Sequence, residues 1–167
     1  MAAFRFATHF SQLLLSLLFG RWYDSPRQVG IKAPPEKIYE LLTTNDGLSK
    51  WWTNDISGAG DVGSIIQFRF NGGGPDFSVT KLIPNKLVGW QHSGNMPESW
   101  VGTEILFELK VEETQTFVRF VHSNWKESSD FMAHCSTKWA VFLLSLKDAV
   151  EKGTGKPFPN DIHIDHS

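Results

Sequence analysis

Between residues 64 and 123 the hydrophobic residues keep a period of two through one short segment after another. "SIIQFRF" sends Ile66, Phe68 and Phe70 to one side and Ile65, Gln67 and Arg69 to the other. "LVGWQHS" puts Val88, Trp90 and His92 on a shared face. "GTEILFELKV" sets Ile105, Phe107, Leu109 and Val111 against Glu104, Glu108 and Lys110, and "TFVRFVHS" sets Val118, Phe120 and His122 against Arg119. "FSVTKLI" reads as a further strand. The links "NGGGPD", "PNK" and "SGNMPESW" are short, and strands joined by such links form an antiparallel meander with one wet face.

The period then lengthens. From about Ser128 to Lys152, Phe131, Cys135, Trp139, Phe142, Leu146 and Ala149 share one stripe at helical spacing, widened by Met132, Leu143 and Val150. Gly153 ends this helix. Ahead of the meander, "PRQVGIKA" (Pro26 to Ala33) reads as a first strand, and Pro34 and Pro35 open a helix over "EKIYELLTT". "NDGLSKWW" reads as a second short helix, capped by Asn45 or Asp46 and burying Leu48, Trp51 and Trp52. The expected class is α+β: about six antiparallel strands closed by one long C-terminal helix, with two short helices after the first strand.

The chain has 167 residues, and its domain is expected to span residues 26–161, with an extension at 1–25 and a short tail at 162–167. The extension holds an apolar run, Leu13 to Phe19, too short to span a membrane. Three readings of it stay open: a secretory signal, an added helix docked on the domain, or residues from an upstream start. The tail histidines read as a solvated end. Net charge is −2 with no basic stripe, so nucleic acid is not an expected partner. A single cysteine fits a reducing compartment, and a cytoplasmic location is expected.

His134 beside Cys135 resembles a nucleophile with its base only as letters. Helix neighbours at i and i+1 do not face each other. Cys135 sits in the apolar stripe, where a thiolate is disfavoured, and His134 sits on its flank between Asp130 and Lys138. His122, His134 and Cys135 could approach one metal, but adjacent residues chelate poorly from one helix and no acidic ligand is placed with them. Neither a metal nor another cofactor is expected. "NGGGPD" lacks the lysine and the following helix of a phosphate loop. The inward faces are almost wholly aromatic and aliphatic. That is poor for acid–base chemistry and good for holding an apolar molecule.

Several stretches in order, "IKAPPEKIYELLT…GLSKWW", "IPNKLVGW", "WVGTEILFEL", "TFVRFVHSNW", "FMAHCSTKWAVFLLSLK" and "GTGKPFPND", resemble the SRPBCC (START / Bet v 1-like) superfamily. Within it they are similar to the family related to the activator of Hsp90 ATPase. The resemblance implies a helix-grip fold, a curved sheet wrapped around the long helix, with a deep hydrophobic cavity between them. It places Trp51 and Trp52 at one end of that cavity. Phe68, Phe70, Trp90, Phe107, Phe120 and His122 would line the sheet side, and Phe131, Cys135, Trp139 and Phe142 the helix side. Trp100 would gate the mouth. The expected function is binding or carrying a small hydrophobic, aromatic or lipid-like ligand. The alternatives are a chaperone-associated module and a cyclase or hydrolase using His122 or His134 as base. An Hsp90-type partner is disfavoured, because the eukaryotic co-chaperone has an additional N-terminal domain that this chain is too short to hold. Val141 and Leu144 on the helix's back leave room for a homodimer.

Overall fold

The computed structural model describes residues 23–164. The expected extension at 1–25 lies almost wholly outside them. Seven strands form one antiparallel sheet: β1 (Tyr23–Ile31), β2 (Asp55–Ser57), β3 (Ile65–Arg69), β4 (Asp76–Ile83), β5 (Leu87–His92), β6 (Glu104–Val111) and β7 (Thr116–Trp125). Their spatial order is β1-β7-β6-β5-β4-β3-β2, so only the first strand leaves the meander to pair with the last. Helices α1 (Pro35–Thr43) and α2 (Asn45–Ser49) follow β1, and α3 (Asp130–Lys152) closes the chain. This is the α+β helix-grip arrangement, with α3 against the inner face of a curved sheet.

The alternation holds where the strands lie under α3. Ile66, Phe68, Val88, Trp90, Ile105, Phe107, Val118 and Phe120 are buried, while Gln67, Glu108 and Arg119 are exposed. Val111, at the end of β6, departs from this and is 61% exposed. β1 begins earlier than "PRQVGIKA" suggested, with Tyr23 opposite Trp125. The cap of α2 is Thr44, one residue before the expected Asn45 or Asp46; its hydroxyl accepts the Gly47 N–H at 3.0 Å. Asn45 instead reaches the Ala59 N–H through its side-chain oxygen. Ser129 caps α3 by accepting from the Met132 N–H, and Gly153, at φ 85°, takes the left-handed conformation that ends it.

α3 also covers the outer edge of β1. Lys147 Nζ donates to the Gly30 carbonyl at 2.7 Å, and Glu151 accepts the Lys32 backbone N–H at 2.6 Å. The two side chains pair with each other one helical turn apart. Beyond Gly153 the chain folds back along the domain as a strap. The Lys156 N–H donates to Ser145 Oγ at 2.7 Å, the Phe158 N–H to the Trp52 carbonyl at 2.9 Å, and the Asn54 N–H to the Phe158 carbonyl at 3.3 Å. Gly155 makes the return possible. A Cβ there would lie 2.6 Å from both the Lys50 and Ser145 carbonyl oxygens. Of the tail histidines, His163 is exposed, and His166 lies outside the described residues.

Candidate functional site

Trp52 is the hub of the interior. It lies in the turn that follows α2, with 2% of its surface exposed, and meets rings from every layer. Its centroid is 3.9 Å from that of Phe68 and 4.7 Å from that of Trp139 on α3. It stacks on Trp90 at 6.0 Å and 7°, and on Trp51 at 5.9 Å and 18°. Phe107 and Phe120 continue the cluster toward Trp139, with Phe120 4.5 Å from it. These rings fill most of the space between sheet and helix.

What remains open is a hollow of about 200 Å³ at one end of the interior. Trp52, Phe70, Trp100, Phe131, Cys135, Trp139 and Phe142 line it, joined by Pro75, Pro97, His134, Lys138 and Phe158. The remaining expected site residues, Trp51, Phe68, Trp90, Phe107, Phe120 and His122, lie behind this lining in the filled core. Facing direction alone could not separate the two groups, because both point inward. Phe77 and Trp125 are buried among the same rings and carried no alternation signal that singled them out. Phe158 was missed because "GTGKPFPND" has no periodicity to place it.

His122 is not at the mouth. It is 0% exposed, and both ring nitrogens are engaged. Trp139 Nε1 lies 3.2 Å from His122 Nδ1, and Thr103 Oγ1 lies 3.0 Å from Nε2. An indole N–H can only donate, so Nδ1 is the acceptor and the proton sits on Nε2. Nε2 then donates to Thr103 Oγ1, and that hydroxyl donates to the Trp100 carbonyl at 2.6 Å. This proton-ordered chain holds the Trp100 loop, β7 and α3 together. Burial, with the nearby Arg27 guanidinium and His92 adding to it, pushes the His122 imidazole down to about 3. A neutral ring with no free nitrogen cannot serve as a general base near pH 7.

Cys135 is equally committed. Trp100 Nε1 donates to its Sγ at 3.3 Å, and burial raises the thiol to about 12, against which the Trp100 bond works only in part. The side chain is wall, not nucleophile. In native protein at pH 8 a disulfide-exchange reagent is expected to label Cys135 at least a hundredfold more slowly than in denaturant. Labelling within the mixing time of folded protein would contradict this.

The polar residues of the hollow sit on one flank of α3. His134 stacks on Phe131, with centroids 6.2 Å apart. Lys138 turns to the strap. It forms an ion pair with Asp161 of the strap, donates to the Ile162 carbonyl at 3.0 Å, and passes 5.2 Å above the Phe142 ring. Among the described residues, no group of histidine, cysteine and carboxylate side chains could hold a metal ion. Nor is any described helix long and apolar enough to cross a membrane.

The family described as activator of Hsp90 ATPase homolog 1-like protein matches residues 32–151. The chain belongs to this family. A solution structure of the Aha1 dimer from Colwellia psychrerythraea is 74% identical, with a TM-score of 0.75; the match covers 80% of this chain and 99% of that one. Two more distant structures share the fold. Protein MLL2253 from Mesorhizobium loti is 20% identical at a TM-score of 0.68, over 75% of this chain and 95% of that one. CalU16 from Micromonospora echinospora is 15% identical at a TM-score of 0.69, over 85% and 74% respectively. No curated protein matches the chain. The strap, beyond residue 151, lies outside the part matched by the family.

Proposed function

We propose that the protein binds a small, uncharged apolar molecule of one or two rings in the hollow. The observation that carries this reading is the hollow's wall: Trp52, Phe70, Trp100, Trp139 and Phe142 surround an open volume of about 200 Å³ with little polar surface. Ligand pockets for larger molecules run to roughly 300–1,000 Å³, whereas a dry apolar cavity of about 150 Å³ accepts benzene. Size therefore favours a small aromatic over a sterol or a lipid chain. Lys138 stands at the rim, but Asp161 offsets its charge, which favours neutral ligands over carboxylates. The reading sets the protein in the cytoplasm, where a lone thiol stays reduced. Titration of indole, followed by chemical-shift changes of the tryptophan side chains, tests it. Saturable shifts at the Trp52, Trp100 and Trp139 indoles are expected, and no saturation by millimolar indole would sink the idea.

A second reading is favoured by the 74% identical relative, which is described as an Aha1 dimer. Here the protein is a homodimeric, chaperone-associated module that presents the outer side of α3. Leu144 on that side is 57% exposed, and Val141 lies beside it. Light scattering reports the dimer. Stimulation of an Hsp90-type ATPase reports the module, and unchanged turnover at saturating protein would remove it.

A further inference from the structure

We infer that the strap Gly155–Ile162 is the size-selecting wall of the hollow, and that Phe158 sets which apolar ligands fit. This rests on the hollow being a binding site.

The walls of the hollow differ in how firmly they are held. Trp139 and Phe142 belong to α3, and Trp52 is locked among core rings. Trp100 is fixed through its side chain to Cys135 and through its carbonyl to Thr103. Phe158 comes from a segment that belongs to neither the sheet nor a helix. Its ring is only partly buried and meets Phe70 edge-on at 5.3 Å.

Apart from the Phe158–Phe70 ring contact and the close packing of Gly155, the strap's attachments are polar. Phe158 makes two backbone bonds across the Trp52–Asn54 segment, which run like a one-residue parallel bridge to Thr53. At the far end, Asp161 pairs with Lys138, itself a rim residue of the hollow. Releasing that ion pair loosens the strap beyond Phe158, where the Lys138 bond to the Ile162 carbonyl is left, without removing a wall. Withdrawing the Phe158 ring joins the hollow to the space it occupies. Seated, Phe158 restricts the site to one or two rings; displaced or trimmed, it admits a three-ring or extended apolar molecule.

The full-length protein and the variants Phe158→Ala and Asp161→Asn are titrated with indole and with the neutral three-ring dye N-phenyl-1-naphthylamine. In the unaltered protein indole is expected to bind more tightly than the dye. Phe158→Ala is expected to bind the dye at least tenfold more tightly than the parent and indole several-fold more weakly. Asp161→Asn is expected to gain several-fold for the dye with indole binding retained. Because Asp161→Asn removes no ring from the protein, it decides the matter if Phe158→Ala does not fold cooperatively. If the parent binds indole and the variants keep the parent's preference, the strap is not the selecting wall. If neither parent nor variants bind either probe, the hollow is not a binding site, and the function proposed above fails with the strap's role in it.

Discussion

Replacing Trp52 with alanine is expected to remove about 3–5 kcal/mol of folding stability, the range for truncating a large aromatic in a packed core. The ring is 2% exposed and meets Phe68, Trp90 and Trp139 from the sheet and from α3 at once. Its loss would leave a void between layers that these rigid neighbours cannot close by rotating. The void would also open into the hollow that Trp52 lines, letting water reach apolar surface. A domain with roughly 5–15 kcal/mol in hand would be brought close to unfolding. Chemical denaturation measures the effect, with the outer-face change Leu144→Ala as a control expected to fall near 0.5 kcal/mol. A Trp52→Ala cost below 1 kcal/mol would mean that the rings do not form one interlocked cluster.

The second large effect is on pH. In the folded protein His122 stays neutral down to about pH 3, whereas in the unfolded chain it takes a proton near 6.5. Between those values the unfolded state holds a proton that the folded state refuses, so stability falls as pH falls from about 6.5 toward 3. The slope approaches roughly 1.4 kcal/mol per pH unit from this one group, reaching several kcal/mol in total. Burial also lowers His92, which adds a contribution of the same sign. Comparing the parent with His122→Gln isolates the His122 part. Glutamine can accept from Trp139 and donate to Thr103 but does not titrate. The variant should be less stable at pH 7 yet lose less between pH 6 and 4. Parallel stability curves would show that His122 is protonated in the folded protein, which is incompatible with an indole N–H on Nδ1.

The inner faces of the sheet and of α3 were readable because alternation and helical spacing survive wherever two layers sandwich a core. Phe68, Trp90, Phe107, Phe120, Trp139 and Phe142 all point where their spacing put them. Whether those rings enclose a space or fill it was not readable. That depends on side-chain volumes meeting across layers, and here Trp52 stacked on Trp90 takes up most of the room. The role of His122 was hidden for a similar reason. Its strand face was clear, but its partners Thr103 and Trp139 arrive from other elements. β2, three residues long, is too short to show a period. The bulge between Val79 and Lys81 interrupts the alternation of β4. The strap owes its order to partners distant in sequence, so local propensity had nothing to report.

The cover that α3 lays over β1 limits how copies of this molecule can come together. A bare edge strand is a template on which another chain can align backbone to backbone. At the end of β1 the Gly30 carbonyl and, just past the strand, the Lys32 N–H already hold Lys147 and Glu151, so an incoming strand would find those positions taken. The opposite edge offers only the three residues Asp55–Ser57. Self-association through backbone pairing is thereby disfavoured at this end of β1, which leaves contacts between side-chain surfaces as the easier route there.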